Sequence, residues 1–217
     1  GMTQSNKPLI IGVSGGIGSG KSTVSKMIAD ALNGCGVKTL WFDEGGEHPA
    51  DYADYDFPDF ETERVKILDK WRSFVKNREK GAVYVFNCVL IQNPITETMM
   101  RFGMEEKDTQ DYINQIAQII KPLSPAIVYI DVNNVKATLD SVLAERGESW
   151  LDAVVGYHTN QGYGKANGLC GYDGYIKCLE ERKKREEKIL DSVNMKTVRI
   201  KPSIKACEIS EVIKEIY

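Results

Sequence analysis

Residues 15–22 read Gly-Gly-Ile-Gly-Ser-Gly-Lys-Ser, a match to GxxxxGK(S/T) placed between the apolar run Pro8-Leu9-Ile10-Ile11-Gly12-Val13-Ser14 and the helical pattern Thr23-Val24-Ser25-Lys26-Met27-Ile28-Ala29-Asp30-Ala31-Leu32. Strand, tight loop and helix in that order form the context in which this motif binds phosphate. The glycines let backbone N–H groups turn inward around the β- and γ-phosphates, where a Cβ would clash, and the helix N-terminus adds partial positive charge. Lys21 bridges the terminal phosphates and the Ser22 hydroxyl completes a Mg²⁺ coordination sphere. The reading is therefore ATP with Mg²⁺, bound by Gly15, Gly16, Ile17, Gly18, Ser19, Gly20, Lys21, Ser22 and Thr23, with Ser22 on the metal. A glycine-rich turn carrying a chance lysine would not need all three elements in register. A dinucleotide-binding turn fits less well, because the spacing departs from GxGxxG and leaves the Lys-Ser pair without a purpose.

Downstream, apolar runs bounded by turn residues alternate with segments of helical period, which indicates a mostly parallel sheet covered by helices on both faces. The expected strands are Leu9 to Ser14, Lys38 to Phe42, Ala82 to Cys88, Ala126 to Val132 and Thr197 to Ile200. The expected helices lie near 20–33, 59–78, 108–120, 133–145, 148–158, 176–192 and 204–216. This is an α/β chain with the three-layer α/β/α P-loop NTPase fold and a mostly parallel five-stranded sheet. Its 217 residues suit one domain, placed at 8–217. In the segment 1–7, Gly1 before Met2 reads as a tag remnant and the polar residues after it as a flexible N-terminus. Glu44 to Asp59 and the five-glycine stretch Thr159 to Gly174 fit neither period and are expected to be mobile or substrate-facing loops.

A net charge of -3 argues against a large basic face, so neither nucleic acid nor an anionic membrane is an expected partner. The five cysteines are odd in number and never spaced as CxxC, which suits reduced thiols and a cytoplasmic location. No run is long and apolar enough to span a membrane. His48 and His158 lack partners at metal-binding spacing, so zinc is not expected. A homodimer is left open.

A guanine-reading NKxD is missing after the later strands, since the one Asn-Lys pair, Asn6-Lys7, precedes the first strand; Asp43-Glu44-Gly45-Gly46 spells DxxG without a switch threonine. The chain instead resembles the thymidylate kinase and deoxynucleoside kinase branch of the nucleotide kinases. Beyond the loop the resemblance rests on three features. They are the strand Pro125-Ala126-Ile127-Val128-Tyr129-Ile130-Asp131-Val132, a helix reaching Glu145-Arg146-Gly147, and Glu148-Ser149-Trp150-Leu151-Asp152-Ala153-Val154 where those kinases carry an arginine-bearing lid. It implies a phosphotransferase with a lid-like segment near 146–174 and a substrate loop near 43–60. Two departures stand out. Phe86-Asn87-Cys88 replaces the charged pair ending the third strand, so the acidic metal partner is missing or supplied elsewhere, and Asp43-Glu44-Gly45-Gly46-Glu47-His48-Pro49 replaces the substrate-facing stretch.

The resemblance implies a glutamate base at the end of the second strand, and Glu44 is the nearest match, ahead of Asp43 and Glu47; the alternative is a solvated acid. Arg146 could fold over the transferring phosphoryl group or simply favour a helix C-terminus, and Lys165 is a further lid candidate. Gln92 falls where those kinases read a nucleobase edge with a glutamine, although Gln92-Asn93-Pro94 also suits a turn. Asp131 matches a structural aspartate of the resembled strand. Tyr52, Tyr55, Phe57 and Phe60 suit core packing better than stacking on a substrate. Residues 180–188 are expected to form a solvated face with Glu180–Lys184 and Glu181–Arg185 pairs. The expectation is an ATP-dependent small-molecule phosphotransferase with Lys21, Glu44 and Arg146 as catalytic groups and Glu44 and Gln92 on the acceptor. An ATP-hydrolysing switch or adaptor and a non-catalytic nucleotide-binding module are the alternatives.

Overall fold

β1 (Ile10–Gly15) is buried at every position, as a strand must be when helices cover both faces of its sheet. In the computed structural model, which describes residues 7–44 and 57–217, β1 is the middle strand of a five-stranded sheet in the order β2-β3-β1-β4-β5. Its companions are β2 (Thr39–Phe42), β3 (Val83–Asn87), β4 (Ala126–Ile130) and β5 (Lys196–Ile200), and every pairing is parallel.

Alternation along the strands divides the core. Val83 and Val85 join Ile11, Val13 and Val128 under α1 (Lys21–Gly34) and α9 (Ile209–Ile216). Tyr84 and Phe86 join Ile10, Ile127 and Tyr129 under α2 (Phe60–Asn77), α4 (Glu106–Ile120) and α8 (Gly171–Ser192). Trp71, Phe74, Tyr84 and Phe86 pack edge to face within the second layer, with Phe74 and Tyr84 centroids 4.8 Å apart. α2 starts where Asp59 accepts a hydrogen bond from Thr62 N at 2.7 Å. β1 and β3 are neighbours whose outgoing connections run to opposite faces, α1 on one and the segment after Asn87 on the other, so their carboxyl ends frame a crevice.

Three expectations are corrected. Residues 159–174 are largely helical rather than a loop: α6 (Glu148–Thr159) is followed by α7 (Gly162–Ala166), and α8 begins at Gly171. Two of the glycines there serve close packing, because a Cβ on Gly162 would sit 2.1 Å from Met100 O and one on Gly164 2.3 Å from His158 O. Gln92-Asn93-Pro94 is not a simple turn but opens α3 (Gln92–Ile95), which runs into a π-helix over Thr96–Arg101. The 180–188 stretch is not a purely solvated face: Arg182 and Glu186 are buried, and Arg185 reaches inward to Met104 O and Thr109 Oγ1 at 2.9 and 3.1 Å. Phe57 is buried and Phe60 lies edge-on to Tyr112, both as core. Glu47, His48, Pro49, Tyr52 and Tyr55 lie outside the described residues.

Candidate active site

The loop leaves β1 at Gly15 and enters α1 through Gly20, whose φ of 90° lies in the left-handed region. Gly18 is left-handed too, at φ 76°, and a Cβ there would meet Val142 Cγ2 at 2.6 Å, so α5 (Val135–Arg146) rests directly on the loop. Over Gly16 and Gly20, by contrast, there is open space. No side chain caps α1 and its first turn carries no acid, so the free N–H groups and the positive end of the helix dipole face that space unopposed. Ser19 is almost wholly buried with no partner on its hydroxyl, and Lys21 Nζ spans the loop to Gly16 O at 3.3 Å. Backbone donors, an open cradle and a fixed ammonium together suit a polyphosphate anion.

Beside the loop, three side chains converge from separate elements. Ser22 Oγ donates to Asp43 Oδ1 at 2.7 Å, and Asn87 Nδ2 reaches Asp43 Oδ1 at 2.8 Å and Ser22 Oγ at 3.2 Å. Asp43 follows β2, Ser22 opens α1 and Asn87 ends β3, so the sheet edge itself assembles the cluster. Partial burial pushes the Asp43 carboxyl up, but hydrogen bonds from Asn87, Ser22 and the Glu44 backbone, with the charge of Lys21, outweigh it and hold the group below its ordinary range. The carboxylate that β3 lacks is thus contributed by β2. A serine hydroxyl beside one ionised carboxylate and an amide suits a hard cation that keeps several waters and shares phosphate oxygens. The chain turns sharply after Asn87 through Cys88, a buried non-glycine residue at φ 72°. Gln92, which opens the helix after that turn, lines the crevice.

A cavity of about 950 Å³ opens from the loop and brings Lys21, Ser22, Thr23, Glu44, Gln92 and Arg146 to one space. Its wall from α6 is a stripe at helical spacing, Trp150, Val154, Tyr157 and His158. Arg146 ends α5 and stacks over Trp150 at 5.3 Å, holding its guanidinium at the cavity rim. His158 lies parallel to Tyr175 at 5.4 Å, and burial pushes its imidazole down to about 4, so the ring is neutral. Lys165 is exposed on α7 and does not line the cavity. Asp131 pairs with Lys183 at 3.0 Å, a structural contact away from this space.

Two groups at this site escaped the sequence reading. Arg182 lines the cavity while tied to Glu186 at 3.5 Å and Thr96 Oγ1 at 3.2 Å; Glu186 also accepts from Tyr129 at 2.7 Å. Glu97, on the π-helix, lines the cavity with Arg101 3.3 Å from its Oε2 and Glu63 behind it. Both Glu63 oxygens are buried and meet no donor, and the group they face is Glu97, an arrangement satisfied when Glu63 carries a proton. Burial first, and then the neighbouring Glu97 charge, push the Glu63 carboxyl up to about 9. The folded state therefore holds a proton that an unfolded glutamate has lost, so this contribution to stability is complete below about pH 4.5 and disappears as pH rises toward 9. Glu63→Gln is expected to flatten the pH dependence of urea denaturation between about pH 6 and 9 and to exceed the parent in stability at the alkaline end. A variant that keeps the parental slope would show that Glu63 is ionised in the fold.

No protein-family model matches the chain. A stretch of 83 residues is 37% identical to a uridine kinase of Ligilactobacillus salivarius (strain UCC118), taking in 33% of this chain and 39% of that protein, so the match spans well under half the relative's length. Among solved structures, the fold is similar to that of the YorR protein of Bacillus subtilis, crystallised in complex with phosphorylated GDP, with a TM-score of 0.51 at 13% identity over 94% of this chain and 93% of that one. At that identity the likeness is one of fold. With the loop geometry, the likeness supports an α/β fold carrying a phosphate-binding loop. Among the described residues, no helix is long and apolar enough to cross a membrane.

Proposed function

We propose that the chain is a kinase that transfers the γ-phosphoryl group of ATP to a small acceptor of nucleoside or nucleotide size. The observation that carries this reading is the single cavity shared by the phosphate loop, Glu44, Gln92 and Arg146, which gives a second molecule room beside the triphosphate. The kinase named among the relatives supports the reaction class. A switch protein has no use for such an acceptor space, and that favours transfer over simple hydrolysis.

In this reading Lys21 and the loop N–H groups hold the β- and γ-phosphates, and Arg146 reaches over the transferring group from the rim. Ser22, Asp43 and Asn87 would hold a Mg²⁺ ion, which when bound would neutralise charge on the phosphate oxygens. Glu44 accepts the proton of the acceptor hydroxyl, and Gln92 offers an amide to the body of the acceptor. The α6 stripe excludes water, which would otherwise compete as acceptor. The test is acceptor-stimulated ADP formation across nucleosides, nucleotides and small alcohols. One acceptor class is expected to raise the rate well above the acceptor-free level, whereas a rate indifferent to every acceptor would favour the switch reading.

A further inference from the structure

We infer that Arg182 is a positioning residue for phosphoryl transfer: it ties the cavity wall at Thr96 to the strands that carry the phosphate loop, so that a triphosphate on the loop tightens the wall around residues 92–101. This rests on the kinase reading above for its purpose and deepens it.

Arg182 and Glu186 are four residues apart on α8, which places them on one face of the helix, and they are 6% and 3% exposed. Taking two charges out of water costs more than burying an apolar pair of similar volume, so packing alone does not account for them. What they provide is direction. Glu186 accepts from Tyr129 Oη at 2.7 Å and pairs through its other oxygen with Arg182 Nε at 3.5 Å, while Arg182 Nη1 donates to Thr96 Oγ1 at 3.2 Å. Tyr129 lies in β4 opposite Ser14 of β1, one residue before the loop begins. Thr96 stands where α3 passes into the π-helix, between Gln92 and Glu97 on the cavity wall. A second cavity of about 30 Å³, bordered by Gly16, Tyr129 and Glu186, shares Ile17 and Arg182 with the large one, so the guanidinium stands between loop and wall.

The wall needs such a support. α3 has four residues, too few to hold itself, and the π-helix after it is a rare wide turn whose position depends on its neighbours. At the other end of the network, the Lys21 charge reaches Glu186, where it competes with Arg182 for the same carboxylate. A triphosphate that engages Lys21 takes up that charge and leaves Glu186 to Arg182, which strengthens the pair and with it the hold on Thr96. The filled and empty loop thus differ in how firmly the wall is held, and such a difference is what coupling between two sites requires. An acceptor then meets an ordered wall once the phosphate donor is bound.

The experiment follows backbone amide exchange by mass spectrometry on the full chain, with Mg²⁺ alone and with Mg²⁺ plus a non-hydrolysable ATP analogue. In the parent, the analogue is expected to slow exchange at residues 15–23 and also, by about fivefold or more, at residues 92–101. Thr96→Val, which removes the oxygen that Arg182 holds, should keep the slowing at 15–23 and lose it at 92–101, whereas Thr96→Ser, which keeps a hydroxyl, should retain both. A contact that merely stabilises the fold would change exchange at 92–101 equally with and without the analogue, so the readout is the difference between the two conditions. A parental wall that ignores the analogue while the loop is protected, or a Thr96→Val wall that responds as the parent's does, would overturn the inference and leave the kinase reading intact. No protection at 15–23 would overturn both. A responding wall in a chain that labels no acceptor would remove only the kinase reading.

Discussion

Replacing Lys21 with alanine is expected to lower phosphoryl transfer by about 10²–10³-fold while leaving the fold in place, a loss of the size seen when one preorganised charge-stabilising group is removed. Lys21 is not a core residue; its ammonium lies across the loop mouth on Gly16 O, and the cradle is built by backbone around it. The variant should therefore unfold near the parental temperature. ATP affinity should fall less than kcat, because the loop N–H groups still bind the ground state while the charge developing in transfer loses its counter-ion. A variant retaining most of its rate would mean that the loop binds a ligand that is not reacting.

The second large effect is expected at Asp43. It is the carboxylate bonded to Ser22, and Asn87, the other member of the cluster, is neutral, so Asp43→Asn leaves that cluster without charge. The Mg²⁺ concentration for half-maximal activity is expected to rise by about 10–100-fold, with a comparable or larger drop in kcat. Adding Asn87→Asp to that variant restores a carboxylate within hydrogen-bond distance of the same position and should recover part of the Mg²⁺ affinity. Glu44→Gln separates the two adjacent acids: as the proton acceptor it should lower kcat without moving the Mg²⁺ midpoint. If Glu44→Gln moves the midpoint and Asp43→Asn does not, the two roles are exchanged.

The phosphate loop was legible because its mechanism ties residue types to fixed spacing on a strand, a loop and a helix, and Gly15 to Thr23 occupy the places that chemistry needs. The sheet was legible for a similar reason, since buried parallel strands must be continuous apolar runs. What sequence could not give was convergence between distant segments. Asn87 read as a missing acid because the carboxylate beside it comes from Asp43, 44 positions earlier and just past the end of another strand. The glycines of residues 159–174 suggested mobility, yet they allow backbone to approach backbone at Gly162 and Gly164. Arg182 and Glu186 sit within a charged run whose pattern suggests solvent, and only the packing of α8 shows that this pair faces inward. The π-helix that presents Glu97 leaves no periodic trace, because one wider turn changes the face on which every later residue lies.

The central claim is that the cavity beside the loop delivers a phosphoryl group to a second molecule. The most direct measurement follows label from γ-labelled ATP, with Mg²⁺, over a panel of uncharged nucleosides and small alcohols and their phosphorylated counterparts, for the parent chain and Lys21→Ala. The label is predicted to appear covalently on one acceptor class, to require Mg²⁺, and to fall to near background in the variant. Label recovered only as inorganic phosphate, at a rate no acceptor changes, would contradict the account.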